Sequence, residues 1–218
     1  MKSLIIALLC TPMFVLGQAQ PNDLFSLKFG YNTTLISIKE AVRTKSNLFG
    51  LSFDHGNTYS GDGIHFGLAK NISDHLFVDL SAVFFSGEEQ IVHAANYLSV
   101  LERSYTLKGF RIPASINYLF RSSSKRLRPN IGAGLQYLNF AFHQFEMQQS
   151  NGLTTNKEIA YVNTNEIQLL LSPGIQYRII DELYVSFIVN VGIGKRYIDA
   201  PTISLKYAFK NKKLANPL

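Results

Sequence analysis

The sequence predicts an all-β protein, an eight-stranded antiparallel up-and-down transmembrane β-barrel. Eight segments alternate apolar and polar side chains with the period of two that a strand requires. The face opposite the apolar one carries Gly, Ser, Asn and Gln with few charges, and the connections between segments alternate between short and long. Charged residues make up only 17% of the 218 residues, against roughly 25% in ordinary soluble domains. The formal net charge is +6.

The N-terminus has the organisation of a secretory signal peptide. Met1-Lys2 is a short basic start, residues 3–16 are mostly apolar, and Gly17-Gln18-Ala19 offers small residues for cleavage. We therefore expect residues 1–19 to be removed and residues 20–218 to form the barrel domain. Cleavage after Ala19 also removes Cys10, the only cysteine, so the mature chain would contain no disulfide.

Eight predicted strands follow in order. The first four are residues 24–33, 63–69, 75–84 and 109–120; the last four are residues 128–137, 167–179, 183–194 and 202–210. In each of them the large apolar side chains share one parity, as in Phe25, Leu27 and Phe29. Small polar residues suit the interior of a narrow barrel, and a continuous apolar face suits lipid. The sequence therefore predicts that the apolar faces point outward.

The connections predict the topology. Residues 71–74, 121–126 and 181–182 form short turns, whereas residues 35–59, 87–102, 146–164 and 195–200 form longer connections. Strict alternation of this kind is typical of outer-membrane barrels, with short periplasmic turns and longer extracellular loops, so we expect the outer membrane as the location. Phe49, Leu51 and Phe53 also alternate, which we interpret as an extension of the first hairpin; the alternative is a ninth strand.

Two further patterns concern individual positions. Tyr118, Tyr177 and Tyr207 fall on the outward face near the lower strand ends, where amphipathic rings border the membrane.

By parity, four cations and two carboxylates point inward: Lys28, Arg111, Arg178 and Lys206, with Asp79 and Glu166. Isolated charges in a narrow lumen are costly, so Asp79 should bond at least one of the cations.

The candidates for an enzyme site are histidines near the outer rim. The five histidines are His55, His65, His75, His93 and His143, and rim clusters could form from Asp54-His55 or from Glu88-Glu89 with His93. We interpret both clusters as solvated loop polarity, because no HExxH motif occurs and no cysteine remains for a thiolate or zinc site. The sequence therefore assigns no catalytic, cofactor-binding or metal-binding residue and predicts no cofactor.

Other function classes are disfavoured by size and charge. An eight-stranded barrel encloses only side chains, whereas aqueous channels need about 16 strands. A soluble lipocalin-like barrel would face its apolar side inward, and the charge-poor opposite face argues against it. Nucleic-acid binding would need aromatic residues interleaved with the basic clusters. We interpret those clusters, Arg121, Lys125, Arg126, Arg128 and the tail lysines 210, 212 and 213, as a solvated rim or a contact with phospholipid headgroups.

Several motifs resemble those of one family. The segment FRIPASINYLF, with Ile112-Pro113, is followed by a short basic turn and the Gly-rich RPNIGAGLQY; SPGIQYRI, LYVSFIVNVGIG and SLKYAF come later. Over residues 24–209 the chain resembles the outer-membrane β-barrel domain of Bacteroidota, the PorT-like "porin family" group. Gly109, Asn117 and the tail KNKKLANPL depart from its pattern. The resemblance implies an outer-membrane barrel without catalytic residues, and some members of the group serve type IX secretion.

The sequence therefore predicts a non-enzymatic outer-membrane barrel with long extracellular loops and a role in surface binding, partner binding or the envelope. The alternatives are an outer-membrane lipid-modifying enzyme and an accessory component of type IX secretion. Its expected partners are the lipid bilayer and an unknown extracellular or periplasmic molecule.

Overall fold

A computed structural model of the chain describes residues 23–41, 45–48, 51–54, 57–95, 99–121, 125–150 and 153–210. The predicted signal peptide and the basic tail after residue 210 lie outside these residues. The strands are β1 (Asp23–Ser37), β2 (Lys45–Leu48), β3 (Leu51–Asp54), β4 (Thr58–Asn71), β5 (Leu76–Ala95), β6 (Ser99–Leu119), β7 (Leu127–Ser150), β8 (Leu153–Leu171), β9 (Gly174–Ile180), β10 (Leu183–Ile193) and β11 (Tyr197–Lys210). None of the described residues forms a helix long and apolar enough to cross a membrane.

Nine of these strands form one antiparallel sheet that closes into a ring. Consecutive strands pair from β1 through β4 to β8, and β11 closes the ring by pairing with both β10 and β1. The all-β, up-and-down architecture predicted from the alternating segments is therefore confirmed.

The nine strands amount to eight staves of a barrel, because β8 and β9 are two parts of one stave. Both pair with β7 on one side and with β10 on the other. The interruption falls at Ser172-Pro173, where proline has no N–H to donate to the ladder. The Ser172 N–H still donates to the Gly132 carbonyl at 2.8 Å, and the Pro173 carbonyl accepts from the Val189 N–H at 2.9 Å. The alternation of faces continues unchanged across the interruption.

The two ends of the barrel differ in their connections. At the end we call lower, strands join through residues 72–75, 120–126 and 181–182, as the short turns predicted. At the upper end, three predicted connections are wrong. Residues 87–102 and 146–164 are mostly paired strand, and residues 197–200 belong to β11, so only residues 194–196 connect β10 to β11. The β5–β6 ladder continues to Ala95 opposite Ser99, and the β7–β8 ladder to Ser150 opposite Leu153. Backbone pairing needs no apolar face, so a pattern read from apolar residues stops too early.

The first upper connection also differs from its prediction. Lys45–Leu48 and Leu51–Asp54 pair only with each other, as a separate two-stranded sheet. This small hairpin is neither a ninth barrel strand nor a continuation of the β1–β4 ladder, which ends at Ser37 opposite Thr58. Phe49 lies outside the described residues.

An outward-facing apolar belt surrounds the lower two thirds of the barrel. The parity assignments hold there: Leu205, Leu171 and Ile116 are 51%, 44% and 59% exposed, whereas their sequence neighbours are mostly buried. The three tyrosines predicted to border the membrane, Tyr118, Tyr177 and Tyr207, all point outward at the lower edge of this belt. Other belt members are Phe25, Leu27, Phe29, Tyr31, Ile64, Phe66, Leu68, Ile131, Ile167, Leu169 and Ile203.

The apolar face changes sides above the belt while the strands keep their phase. On β7, Ile131 points outward at 48% exposed, but higher up Leu138, Phe140 and Phe142 point inward at 0–1%. The inward cluster, which we call the upper core, joins residues of seven staves: Ile36, Ile38, Ala41, Tyr59, Phe85, Tyr105, Leu107, Leu138, Phe140, Phe142, Ala160, Val162, Ile198 and Ala200. The lower lumen is polar and the upper lumen is a packed apolar core, and the second of these was not predicted.

Candidate functional site

The lower lumen contains the predicted ion pair of Asp79. Lys28 on β1 donates a charge-assisted hydrogen bond from Nζ to Asp79 Oδ2 on β5. Ser81 Oγ donates to the other carboxylate oxygen, Oδ1, at 2.8 Å. The Lys28 and Asp79 side chains are only 4% and 10% exposed. The prediction that Asp79 bonds an inward cation is therefore confirmed, and the cation is Lys28.

A second group of cations lies at the lower mouth of the lumen. Arg128 packs 4.8 Å from the centroid of the Tyr184 ring and donates from Nη2 to Gln176 Oε1 at 2.9 Å. Lys206 lies 5.0 Å from the Phe77 centroid and 5.7 Å from the Tyr184 centroid. Arg128 is buried, so its prediction as part of a solvated rim is wrong. It belongs to β7 and shares the inward parity of Asn130, whereas Arg121, Lys125 and Arg126 are exposed in the turn.

A layer of hydrogen-bonded side chains, which we call the polar layer, separates this lower lumen from the upper core. Arg111 Nη1 donates to Gln136 Oε1 at 3.4 Å, and Gln136 Nε2 donates to Gln168 Oε1 at 2.7 Å. Gln168 Nε2 in turn donates to Glu166 Oε1. The layer therefore links a buried guanidinium to a half-buried carboxylate through two amides.

A glycine leaves the space that this layer occupies. A Cβ on Gly192 would lie 1.9 Å from Gln136 Nε2 and 2.3 Å from Gln168 Oε1. Because neither amide could stay in place beside a larger residue, Gly192 is needed for the layer. Gly132 leaves room in the same way, since a Cβ there would lie 2.1 Å from Asn117 Oδ1, whereas at Gly30, Gly63 and Gly134 it would meet the backbone of a neighbouring strand.

The upper core closes the lumen above the polar layer. The Tyr59 ring lies 4.9 Å from that of Tyr105 and 4.6 Å from that of Phe142, measured between centroids. Gln144 Nε2 donates to the Tyr59 hydroxyl at 3.3 Å. Burial is the main cause that raises the pKa of the Tyr59 phenol to about 12, and the hydrogen bond from Gln144 opposes it. The neutral phenol is therefore the form that this core accommodates.

Four strands continue above the rest of the barrel as a sheet that we call the wall, formed by residues 87–95, 99–107, 139–150 and 153–165. Within the described part of the chain, β5 pairs with β4 only up to Ser86, and β10 reaches β8 only as far as Leu169. Among the described residues, the wall's two outer strands, β5 and β8, therefore pair along one edge only.

The wall presents aromatic and charged groups on its outer face. His143 Nδ1 contacts Glu158 Oε1 at 2.8 Å, and the His143 ring lies 4.6 Å from Tyr161 and 6.1 Å from Phe145, measured between centroids. Tyr161 is 55% exposed although it stands above the belt. On the inner face, Arg103 and Glu146 form an ion pair at 2.9 Å. These are the exposed, chemically varied groups that a binding surface needs.

The structure places the predicted histidine clusters as follows. Glu88 and Glu89 are exposed on β5, and the side chains of Asp54, His55 and His93 lie outside the described residues. His65 is buried in the lumen, and His75 stacks on Tyr118 at 5.8 Å. In the described part of the chain, no three His, Cys, Asp or Glu side chains gather as metal ligands would. The structure therefore brings none of these predicted clusters together.

Sequence reasoning missed the upper core and the polar layer. A signal for the core was available, because Phe140 and Phe142 share the parity of Gln136 and would therefore point inward. The polar layer had no comparable signal, since its four side chains come from β6, β7 and β8 and meet only when the register between these neighbouring strands is set.

Comparisons with known proteins give likeness only at the level of structure. No protein-family model matches the chain, and no curated protein matches it in sequence. Similar solved structures include the N-terminal β-barrel domain of OprF from Pseudomonas aeruginosa, with 10% identity over 85% of this chain and 99% of that one (TM-score 0.47). The outer membrane protein OprG of Pseudomonas aeruginosa shares 12% identity over 89% and 100% (0.45). Ail, the attachment invasion locus protein of Yersinia pestis, shares 9% identity over 87% and 100% (0.44).

Proposed function

We propose that the protein is a non-enzymatic outer-membrane β-barrel that binds partners at the cell surface through the wall. The observation that carries the proposal is the change of the apolar face from outside to inside along continuous strands. A soluble barrel keeps its apolar residues inside along its whole length. Here the lower part is apolar outside, as lipid requires, and the upper part is apolar inside, as water requires.

The position of the change supports a membrane boundary. It falls between Phe84 and Phe85 on β5 and between Tyr137 and Leu138 on β7. The two staves flank β6, where Phe84 is opposite Phe110 and Tyr137 is opposite Ile112, only two residues away. Above it, outward positions carry polar groups such as Asp62 and Lys108, which are exposed. Strands whose pattern changes at one level are expected where the surroundings change from hydrocarbon to water.

Surface binding is proposed for the wall because it extends beyond the membrane and displays exposed rings beside charges. The alternative of a lipid-modifying enzyme would need a histidine paired with a nucleophile or a carboxylate near the outer rim. His143 and Glu158 form such a pair at 2.8 Å, but their side chains are 37% and 46% exposed and lie between Phe145 and Tyr161. Because catalytic pairs work best in a site that excludes water, we favour recognition over catalysis for this pair.

The narrower family assignment stays a prediction. The motifs around Ile112-Pro113 and the Gly-rich segment after Arg128 are its support, and a role in type IX secretion has no support beyond that resemblance.

Cysteine labelling tests the proposed orientation. The mature chain should contain no cysteine, so Asn156→Cys on the wall and Lys125→Cys in a lower turn each introduce a single thiol at an exposed position. In intact cells, a membrane-impermeant maleimide should label Asn156→Cys at once. It should label Lys125→Cys only after the envelope is permeabilised.

The unsubstituted chain is the control for this experiment, and one labelling pattern would contradict the proposed orientation. The unsubstituted chain should stay unlabelled, and labelling of it would mean that Cys10 is retained. The reverse pattern, with Lys125→Cys labelled in intact cells, would contradict the orientation.

Shortening the wall tests its role. Replacing residues 90–104 and 146–157 by short turns leaves the Glu89–Tyr105 and Phe145–Glu158 pairs as the new hairpin ends, and Phe145→Ser with Tyr161→Ser in the same variant removes the exposed rings. This variant should insert normally while its cells lose adhesion to surfaces coated with matrix protein or glycan. Equal adhesion by cells with the full and shortened chains would contradict the proposal.

A further inference from the structure

The lower lumen contains more buried positive charge than negative charge. Among the described residues, Lys28, Arg111, Arg128 and Lys206 are buried at 0–6% exposure, and Asp79 is the only carboxylate buried with them. Asp79 is already engaged by Lys28 and Ser81. Burying a charge without a counter-charge is costly, so this excess needs compensation inside the barrel.

Arg128 and Lys206 are partly compensated by aromatic faces, but Arg111 is not. Arg128 packs on Tyr184, and Lys206 lies over Phe77 and Tyr184. Arg111 is 0% exposed, and its one hydrogen bond, to Gln136, is long at 3.4 Å. Its cross-strand neighbours in the ladder are Val83 and Leu138, which are apolar and buried.

The two donors of Arg111 that have no partner among the described residues lie on the same edge of the guanidinium. Within the described residues, Nε and Nη2 have no hydrogen-bond partner, while Nη1 donates to Gln136. Nε and Nη2 make up one edge of the guanidinium, the fork with which arginine binds anions through two parallel hydrogen bonds. The nearest free carboxylate in the same layer, Glu166, is reached only through Gln136 and Gln168.

We infer that the polar layer contains a binding site for a small inorganic anion, of the size and charge of chloride, held by the Nε and Nη2 edge of Arg111. A single-atom anion can accept both hydrogen bonds and supplies the charge that the lumen lacks. The cross-strand neighbours Val83 and Leu138 offer no further hydrogen-bond donors for the additional oxygens of a larger anion such as a phosphate ester. Below the layer, Arg128 and Lys206 add buried positive charge beyond the Lys28–Asp79 pair, and the resulting positive potential favours an anion. This inference does not depend on the proposed role of the wall.

Refolding and thermal unfolding test the site. The purified chain, without its predicted signal peptide, is refolded into detergent in sodium gluconate, and chloride or bromide then replaces gluconate at constant ionic strength. Because a ligand that binds only the folded state stabilises it, the midpoint should rise saturably with halide, by about 3 °C or more for a domain of this size. Arg111→Gln should remove the rise, and Lys206→Gln, a matched removal of a buried cation, should keep it.

Crystals grown in bromide locate the ion directly. Anomalous scattering should show one bromide within hydrogen-bond distance of Arg111 Nε and Nη2 in the unsubstituted protein, a result that does not require any variant to fold. If Arg111→Gln fails to refold, Arg111→Lys takes its place. It keeps the positive charge but lacks the edge with two parallel donors, so it should also remove the rise in the midpoint. A water molecule or the Glu166 carboxylate at that edge, or a halide response that survives both substitutions, would overturn the inference.

Discussion

At the scale of single residues, the described part of the lumen contains fewer buried carboxylates than buried cations. Lys28 and Lys206 are directly opposite each other in the β1–β11 ladder, an arrangement that is destabilising for like charges. Asp79 neutralises Lys28 from two staves away, and the rings of Phe77 and Tyr184 accommodate Lys206. One carboxylate therefore allows two lysines to share a buried cross-strand position.

Removing that carboxylate should be strongly destabilising. Asp79→Ala leaves Lys28 buried without its partner, and breaking such a pair costs roughly 3–5 kcal/mol. Urea unfolding of the refolded protein in detergent measures the loss in the free energy of unfolding.

The double variant Lys28→Met with Asp79→Ala is the matched control. It removes both charges, so it should recover most of the loss, because no unpaired charge remains. A loss below about 1 kcal/mol for Asp79→Ala alone would indicate a hydrated pair of the surface kind and contradict the dry site.

At the scale of the element, each long strand belongs to two environments. The β8 strand begins at Leu153, 75% exposed in the wall, and ends at Leu171, 44% exposed at the middle of the belt. By accessible surface, Leu153 is the more exposed of the two leucines, so exposure does not show which of them faces lipid. Only the surroundings, water above and lipid below, distinguish the two leucines.

A pair of identical substitutions on this strand should therefore differ widely. Leu171→Arg should cost about 2–4 kcal/mol because the charge would lie near the bilayer midplane. Leu153→Arg should stay within about 0.5 kcal/mol, as an exposed change does in water. The readout is the unfolding free energy of the protein refolded into lipid vesicles, compared with the same variants in detergent. Equal costs for both variants would contradict the placement of the belt in lipid.

At the scale of the whole molecule, buried side chains occupy both levels of the described lumen. The lower lumen contains the Lys28–Asp79 ion pair and amides, and the upper lumen contains the rings of Tyr59, Tyr105 and Phe142. Because a packed apolar core lies above a polar layer in the described part of the chain, we expect no continuous path for hydrated ions. The molecule is therefore expected to act through its surface.

Reconstitution into planar bilayers tests this expectation. The protein should produce no persistent conductance steps under conditions in which a sixteen-stranded porin conducts, because eight staves enclose only side chains. Stable, reproducible steps from the unsubstituted chain would contradict a filled lumen. Steps that occur only after the upper core is truncated, for example by Phe142→Ala, would support it.

The sequence by itself determined the eight staves, the facing of the belt and the pairing of Asp79, because each depends on parity, and parity is local to a strand. The predicted turn at 181–182 is also confirmed, because the residues that favour turns are a local signal too. The parity of the strands also predicted that Lys28 and Lys206 face the lumen, although it could not identify their partners.

Tertiary structure alone decided which groups meet. Strand order and ring closure selected Lys28 for Asp79 and buried Arg128, which the sequence placed in a solvated turn. The register of β6, β7 and β8 joined Arg111 to Glu166 through Gln136 and Gln168. It also converted two predicted loops into the wall, since pairing there depends on neighbouring strands rather than on an apolar pattern. The physical reason is that alternation fixes the side of the sheet on which a residue lies, whereas register and closure fix which residues face it across the lumen.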